Sequence, residues 1–296
     1  GWNTAPLSVN IDLALRGRRS QFQAGVSILN KITKGNVHLS YYEDSVSETL
    51  IGLDNVVNHT VRGPHPAGNV GVQIHHIDPI NKGDIVWYLE PQDILSIGRL
   101  FTEGKYDVSR IVALVGGQVT KPRYYRTIAG ASINHLLLDN LKEGESRIIS
   151  GDILTGTKID ITGNLGFYDT TVTVIKEGKE QEFLGWILPG INKLSASRTF
   201  FSWLNPTKKF NVNSNMNGEE RAYVVSGAYE KVLPMDIYPL QLIKAIMIED
   251  IELMESLGIY EVSPEDFALC EFVCTSKIEV QSIIRHGLDL VRKENS

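Results

Sequence analysis

The chain has 296 residues, of which 42% are hydrophobic and 22% charged, with a formal net charge of −6. That length holds two or three cores of ~100–150 residues each, and the acidic balance argues against a nucleic-acid binder. Two cysteines make no disulfide framework and point to a reducing compartment, and no apolar run approaches the ~20 residues a membrane span needs.

In chain order, residues 1–20 are polar, turn basic at RGRRS, and predict no firm element. FQAGVSILNKITKG predicts a helix, with Phe22, Val26, Leu29 and Ile32 at helical spacing and Gly35 as its stop. NVHLSYY and DNVVNHTV predict strands. GPHPAGNVGVQIHHIDP (63–79) then reads as a glycine-rich turn entering a helix, and DIVWYLEP as a β-rich run. PQDILSIGRLFTEG predicts a helix closed by Gly104, and RIVALVGG an apolar strand. This alternation to about residue 117 predicts an α/β layer with a largely parallel sheet.

Beyond it, PRYYRTIAGASINHLLLDN and RIISGDILTG mix short strands with one short helix, as in a compact α+β module. GFYDTTVTVIKEGKEQEFLGWIL predicts a hairpin turning at Lys-Glu-Gly-Lys. From Pro234 helices dominate, and SPED (263–266) opens one with Ser263 as N-cap, Pro264 at N1 and Asp266 at N3.

Four constellations bear on chemistry. A helical metal pair needs i,i+4 spacing, whereas His75 and His76 are adjacent, so one half-buried and one surface histidine is the expectation. The turn around Gly63, Gly68 and Gly71 offers backbone N–H groups at a helix start, but it is neither a dinucleotide fingerprint nor a phosphate loop; a nucleotide there would rest on amides and Arg62. Cys270 and Cys274 share a helix face, cannot bridge across an intact helix, and are two where an iron–sulfur cluster needs four. SRTFFSWLNPTKKF (197–210) interleaves Phe200, Phe201, Trp203 and Leu204 with Arg198, Lys208 and Lys209. That stretch fits either a core edge with a solvated rim or a surface meeting a membrane or a membrane partner. No acid occurs over residues 183–218, whereas residues 234–271 carry nine acids and one base, an asymmetry that speaks to docking.

GPHPAGNVGVQIHHIDP, QDILSIGRLF, ASINHLL with RIISGDILTGT, KEGKEQEFLGW, NPTKKFNVNSNMNGEERAYVVSGAYEKVLPMDIYPLQLI and SPEDFALCEFVC together resemble, in this order, the A-subunit (alpha-subunit) family of sodium-translocating NADH:quinone oxidoreductases. The resemblance implies an α/β plus α+β fold, made of a linker (1–20), a Rossmann-like domain (21–111), a β-grasp, soluble-ligand-binding module (112–165), a β-rich segment (166–233) and a helical domain (234–296). It also implies a C-terminal portion of a longer chain.

In flavin-binding relatives of this fold the loop matching 63–71 continues with acidic residues; here Gly68 is followed by Asn69 and Val70. Those relatives hold a cluster through cysteines of which only Cys270 and Cys274 have counterparts here. The implied protein is a peripheral subunit on the cytoplasmic side of the bacterial inner membrane, with no catalytic residue, metal or cofactor of its own. NAD, FAD, FMN and iron belong with other subunits, the partners being those subunits, a membrane-embedded one above all. Quinone is the implied ligand, with His65, His75, His76 and Trp203 as candidate contacts; the alternatives are a purely structural scaffold subunit with vestigial flavin and cluster pockets, or a small-ligand-binding β-grasp protein. Gly63, Gly68 and Gly71 form a vestigial cofactor loop, and Arg198, Phe200, Phe201, Trp203, Lys208 and Lys209 meet the partner or the membrane.

Overall fold

A computed structural model describes residues 1–179, 185, 188–196 and 198–295. Helices α1 (Ile11–Leu15) and α2 (Arg19–Ile32) open the chain. The first lies in the stretch expected to be irregular; Asn10 starts it by accepting from the Leu13 amide at 3.0 Å, the side-chain cap that lets a short helix form. α2 stops at Thr33, which leaves helical geometry before Gly35 is reached. Strands β1 (His38–Tyr42) and β2 (Val57–Val61) pair in parallel. Helices α3 (Val70–Ile77) and α4 (Pro91–Glu103) follow, and α4 ends at Gly104 in left-handed geometry, φ 67°. α2 and α4 meet at glycines: a β-carbon on Gly25 would stand 2.7 Å from Ile94 Cγ2, and one on Gly98 would stand 2.9 Å from the Gln21 carbonyl carbon.

The second unit is one five-stranded sheet. It contains β3 (Ser109–Val115), β4 (Arg123–Ile128), β5 (Ser146–Ser150), β6 (Thr157–Ile159) and β7 (Thr171–Lys176), with α5 (Asn134–Leu137) after β4. The order is β4-β3-β7-β5-β6, and only β3 and β7 run parallel. First and last strands side by side at the centre is a β-grasp arrangement. Two expectations change here. β3 joins this sheet, so the parallel layer to residue 117 reduces to β1 and β2. The sheet also runs past residue 165, because β7, buried along five of its six residues, is its middle strand, and a strand covered on both faces reads as an unbroken apolar run.

The run DIVWYLEP forms no strand: residues 84–90 find no sheet partner among the described residues, and Trp87 is 88% exposed. β-propensity measures the fit of a side chain to a neighbouring strand, and here no neighbour is supplied. The expected hairpin keeps its first strand as β7; most of its second strand lies outside the described residues. Among the described residues of 177–233 the β-rich expectation fails as well. Single 3₁₀ turns stand at Phe201–Leu204 and Tyr229–Lys231, and one isolated bridge joins Lys176 to Asn213. The string NPTKKFNVNSNMNG is rich in residues that favour turns over ladders.

The tail packs α6 (Pro239–Met247), α7 (Ile251–Ser256), α8 (Ala268–Val273) and α9 (Val280–Glu294) around Leu242, Ile243, Ile246, Met254, Phe267 and Ile284. Val72 of α3 is buried in this same cluster, so the helix that follows the glycine turn is shared by the first unit and the tail. The expected capping box is present, Ser263 and Asp266 bonding each other's backbone before α8. α4 is latched to β3: the Gln92 amide receives Ile111 N–H at 2.8 Å and donates to its carbonyl at 3.0 Å, and Arg110 pairs with Asp93 in the interior. No described helix is long and apolar enough to cross a membrane.

Candidate functional site

The turn at 63–69 is built to be approached closely. Gly63 has φ 148°, a conformation that side chains avoid. A β-carbon on Gly68 would stand 2.6 Å from the Thr4 amide nitrogen. Into that gap the Thr4 hydroxyl is inserted: it accepts from Gly68 N–H at 2.9 Å and lies 3.1 Å from His65 Nδ1. His65 Nε2 is buried and meets no protein partner. Burial lowers the His65 pKa, against the charge of Asp152, which favours the neutral ring.

The other side of the turn is filled from the tail. A β-carbon on Gly71 would stand 2.8 Å from Asp266 Cγ. The Asp266 carboxylate accepts from the Ser263 amide at 3.0 Å and hydroxyl at 2.8 Å, while Asn69 donates its side chain to the Glu265 carbonyl at 3.0 Å. Burial raises the Asp266 pKa, the Ser263 bonds opposing it. The space over Gly68 and Gly71 is thus occupied by Thr4 and Asp266 of this chain.

His75 and His76 hold α3 to the tail. His75 Nε2 accepts from the Asp236 amide at 3.0 Å and its Nδ1 lies 2.7 Å from Glu261 Oε2. The backbone N–H fixes the tautomer: Nδ1 carries the proton and gives it to Glu261. His76 Nε2 lies 2.9 Å from the Pro234 carbonyl and donates to it. One ring is half-buried and the other exposed, as expected from the sequence, and both are engaged by protein partners. No group of three or more metal-ligating side chains occurs among the described residues.

The cysteines lie in the tail core. Tyr229 donates its hydroxyl to Cys274 Sγ at 3.0 Å, and burial pushes the Cys270 thiol up to about 12, far from the thiolate that reacts or binds metal.

The aromatic–basic segment is held by contacts of its own. Phe201 N–H donates to the Pro189 carbonyl at 2.8 Å, and Lys208 Nζ to the Ile191 carbonyl at 2.8 Å and Asn192 Oδ1 at 2.5 Å. The Lys193 ammonium lies over Phe200 and the Arg198 guanidinium over Trp203, 5.2 and 5.8 Å from the ring centroids. Ser202 is buried, whereas Phe201, Trp203 and Leu204 are 57%, 49% and 65% exposed. No described hydrogen bond or ring contact joins Trp203 to His65, so the four candidate quinone contacts do not form one cluster through such contacts. Sequence reasoning missed Thr4, Glu261 and the second role of Asp266; the capping box marked Asp266 without showing that the same carboxylate oxygen that bonds Ser263 also meets Gly71.

The architecture defines a class first: a mixed α/β protein joining a helix-flanked parallel pair, a grasp-type sheet and a helical tail that closes over a glycine turn. Residues 1–106 match the family described as NqrA second alpha/beta domain, and residues 111–160 match the one described as NQRA C-terminal domain. Over 293 residues the chain is 44% identical to the A-subunit of the Na(+)-translocating NADH-quinone reductase of Histophilus somni (strain 2336), covering 99% of this chain and 65% of that protein. The proteins of the same name from Pasteurella multocida (strain Pm70) and Rhodopirellula baltica are 41% and 40% identical over 296 residues, with 65% and 64% of their lengths covered. The chain belongs to this A-subunit family and spans less than two thirds of the length of these relatives.

Proposed function

We propose that the chain acts as a cofactor-free peripheral subunit of a sodium-translocating NADH:quinone reductase, on the cytoplasmic side of the membrane, contributing to quinone binding and docking on the membrane subunits. The relatives' name supplies the complex-level activity, and the observation that carries the cofactor-free part is the filled turn. Thr4 and Asp266 stand over Gly68 and Gly71, where a flavin phosphate would need open amides. The electron carriers then reside on other subunits, and this chain supplies surface and hydrogen bonds.

Among the four candidate quinone contacts, His65 is the one with a buried ring nitrogen that meets no protein partner. Gly68 N–H occupies one lone pair of the Thr4 oxygen, and in the tautomer this reading assigns, the Thr4 proton is directed at His65 Nδ1, 3.1 Å away. The ring's own proton then sits on Nε2, a buried donor without a protein partner, suited to a quinone carbonyl oxygen. His75 and His76 act as struts between α3 and the tail, and Trp203 belongs to the membrane-facing segment.

Co-expression with the other subunits tests the role. The reading expects co-purification with the membrane subunits, NADH:quinone reductase activity that depends on this chain, and no flavin absorbance in the chain purified alone. A yellow preparation holding one flavin per chain overturns it, as does full quinone reductase activity in its absence.

A further inference from the structure

We infer that the loop pair 188–194 and 198–209 inserts its apolar tips into the headgroup layer of an anionic lipid bilayer, so that the chain touches lipid directly and not only a protein partner. The inference rests on the membrane-peripheral reading but not on the placement of quinone.

The two loops are pinned as one body. Phe201 N–H reaches the Pro189 carbonyl, Lys208 reaches Ile191 and Asn192, and Lys193 covers Phe200. The buried Ser202 anchors the single 3₁₀ turn. What projects is apolar: Leu188, Ile191 and Leu194 from one loop, and Phe201, Trp203 and Leu204 from the other, all exposed. Exposed large apolar residues gathered on one body mark an interaction site.

Charge selects the occupant. The 36 residues from 183 to 218 hold four cations and no acid in a chain of net charge −6. Lysine is depleted where proteins meet proteins, while lysine and arginine beside tryptophan mark the membrane interface. The Arg198 guanidinium over the Trp203 ring places a cation beside the indole, where phosphate groups meet acyl chains. The backbone of these loops is irregular, and unpaired amides cannot enter hydrocarbon, so insertion stops at the headgroups.

The test uses the 296-residue chain and vesicles of phosphatidylcholine, with or without 30% phosphatidylglycerol (a proportion of about one anionic lipid in three). Co-sedimentation and tryptophan emission are read together. Binding to the anionic vesicles with a blue shift, weakened by salt and absent on pure phosphatidylcholine, is the expected result. Lys209→Gln should lower the partition coefficient about fivefold, and Phe201→Asp with Leu204→Asp should abolish the blue shift. Lys209→Gln removes an exposed charge without touching the turn, so the proposal stays testable if the apolar variant misfolds. Equal binding of parent and variants, binding indifferent to lipid charge, or capture by detergent-solubilised membrane subunits with no vesicle binding would each overturn it.

Discussion

Gly71 and Asp266, 195 positions apart in the chain, touch: the α-carbon of one faces the carboxylate of the other so closely that a β-carbon on residue 71 would stand 2.8 Å from Asp266 Cγ. Gly71→Ala is therefore an overpacking change despite the better helix propensity of alanine, and should cost about 1–3 kcal/mol in urea denaturation. The penalty should shrink in an Asp266→Ala background, giving a coupling of about 1 kcal/mol or more in the double-mutant cycle. Additive effects would mean that the two do not meet.

Acid should destabilise the sheet through Glu177. Its carboxylate accepts from Arg147, Ser214 and Lys158, and these bonds hold its pKa down at about 2. A depressed folded pKa gives stability that is present above the unfolded value and lost as pH falls through the folded one. The loss therefore runs from about pH 4.5 towards pH 2, and Glu177→Gln should flatten that limb. Asp266 works in the opposite sense: its folded pKa is raised, so its contribution is full below the unfolded pKa and fades as pH rises through the folded one. Asp266→Asn should remove that second dependence.

Both thiols should be silent in the native chain. Cys270 and Cys274 are buried and Cys270 is pushed up to about 12, so a chromogenic disulfide reagent at pH 8 should titrate neither cysteine until denaturant is added, and then both. Rapid reaction of either thiol in buffer would show that the tail core opens.

His75→Ala should behave as a structural lesion. It strips a partner from Glu261 and from the Asp236 amide, bonds worth about 0.5–1.5 kcal/mol each where water can replace the partner. The midpoint of unfolding should fall while quinone affinity of the assembled complex stays at the parental value. Added zinc should not change the stability of parent or variant.

Where local chemistry determined local structure, the sequence was readable. Gly104 as a helix stop, Ser263–Asp266 as a capping box, and the short helix in ASINHLLLDN needed nothing beyond their neighbours. Strands were harder, because a ladder depends on what lies beside it. Residues 84–90 have strand composition and no strand partner among the described residues, while β7 looked like half of a hairpin and became the centre of a sheet. The site was least legible. Nothing near His75 in sequence announces Glu261, 186 positions on, and Thr4 lies in a stretch that predicted no structure. The family resemblance implied that the glycine turn lacks cofactor ligands, but only the folded chain shows which side chains stand in the space.

The measurement closest to the central claim is a titration of the assembled complex with a short-tail quinone, comparing the parent with His65→Ala. Loss of the buried His65 Nε2, which meets no protein partner, should weaken binding about five- to tenfold, the worth of a single hydrogen bond of ~1–1.4 kcal/mol, with assembly unchanged. Unaltered affinity in the His65→Ala complex would contradict the placement of quinone at this turn.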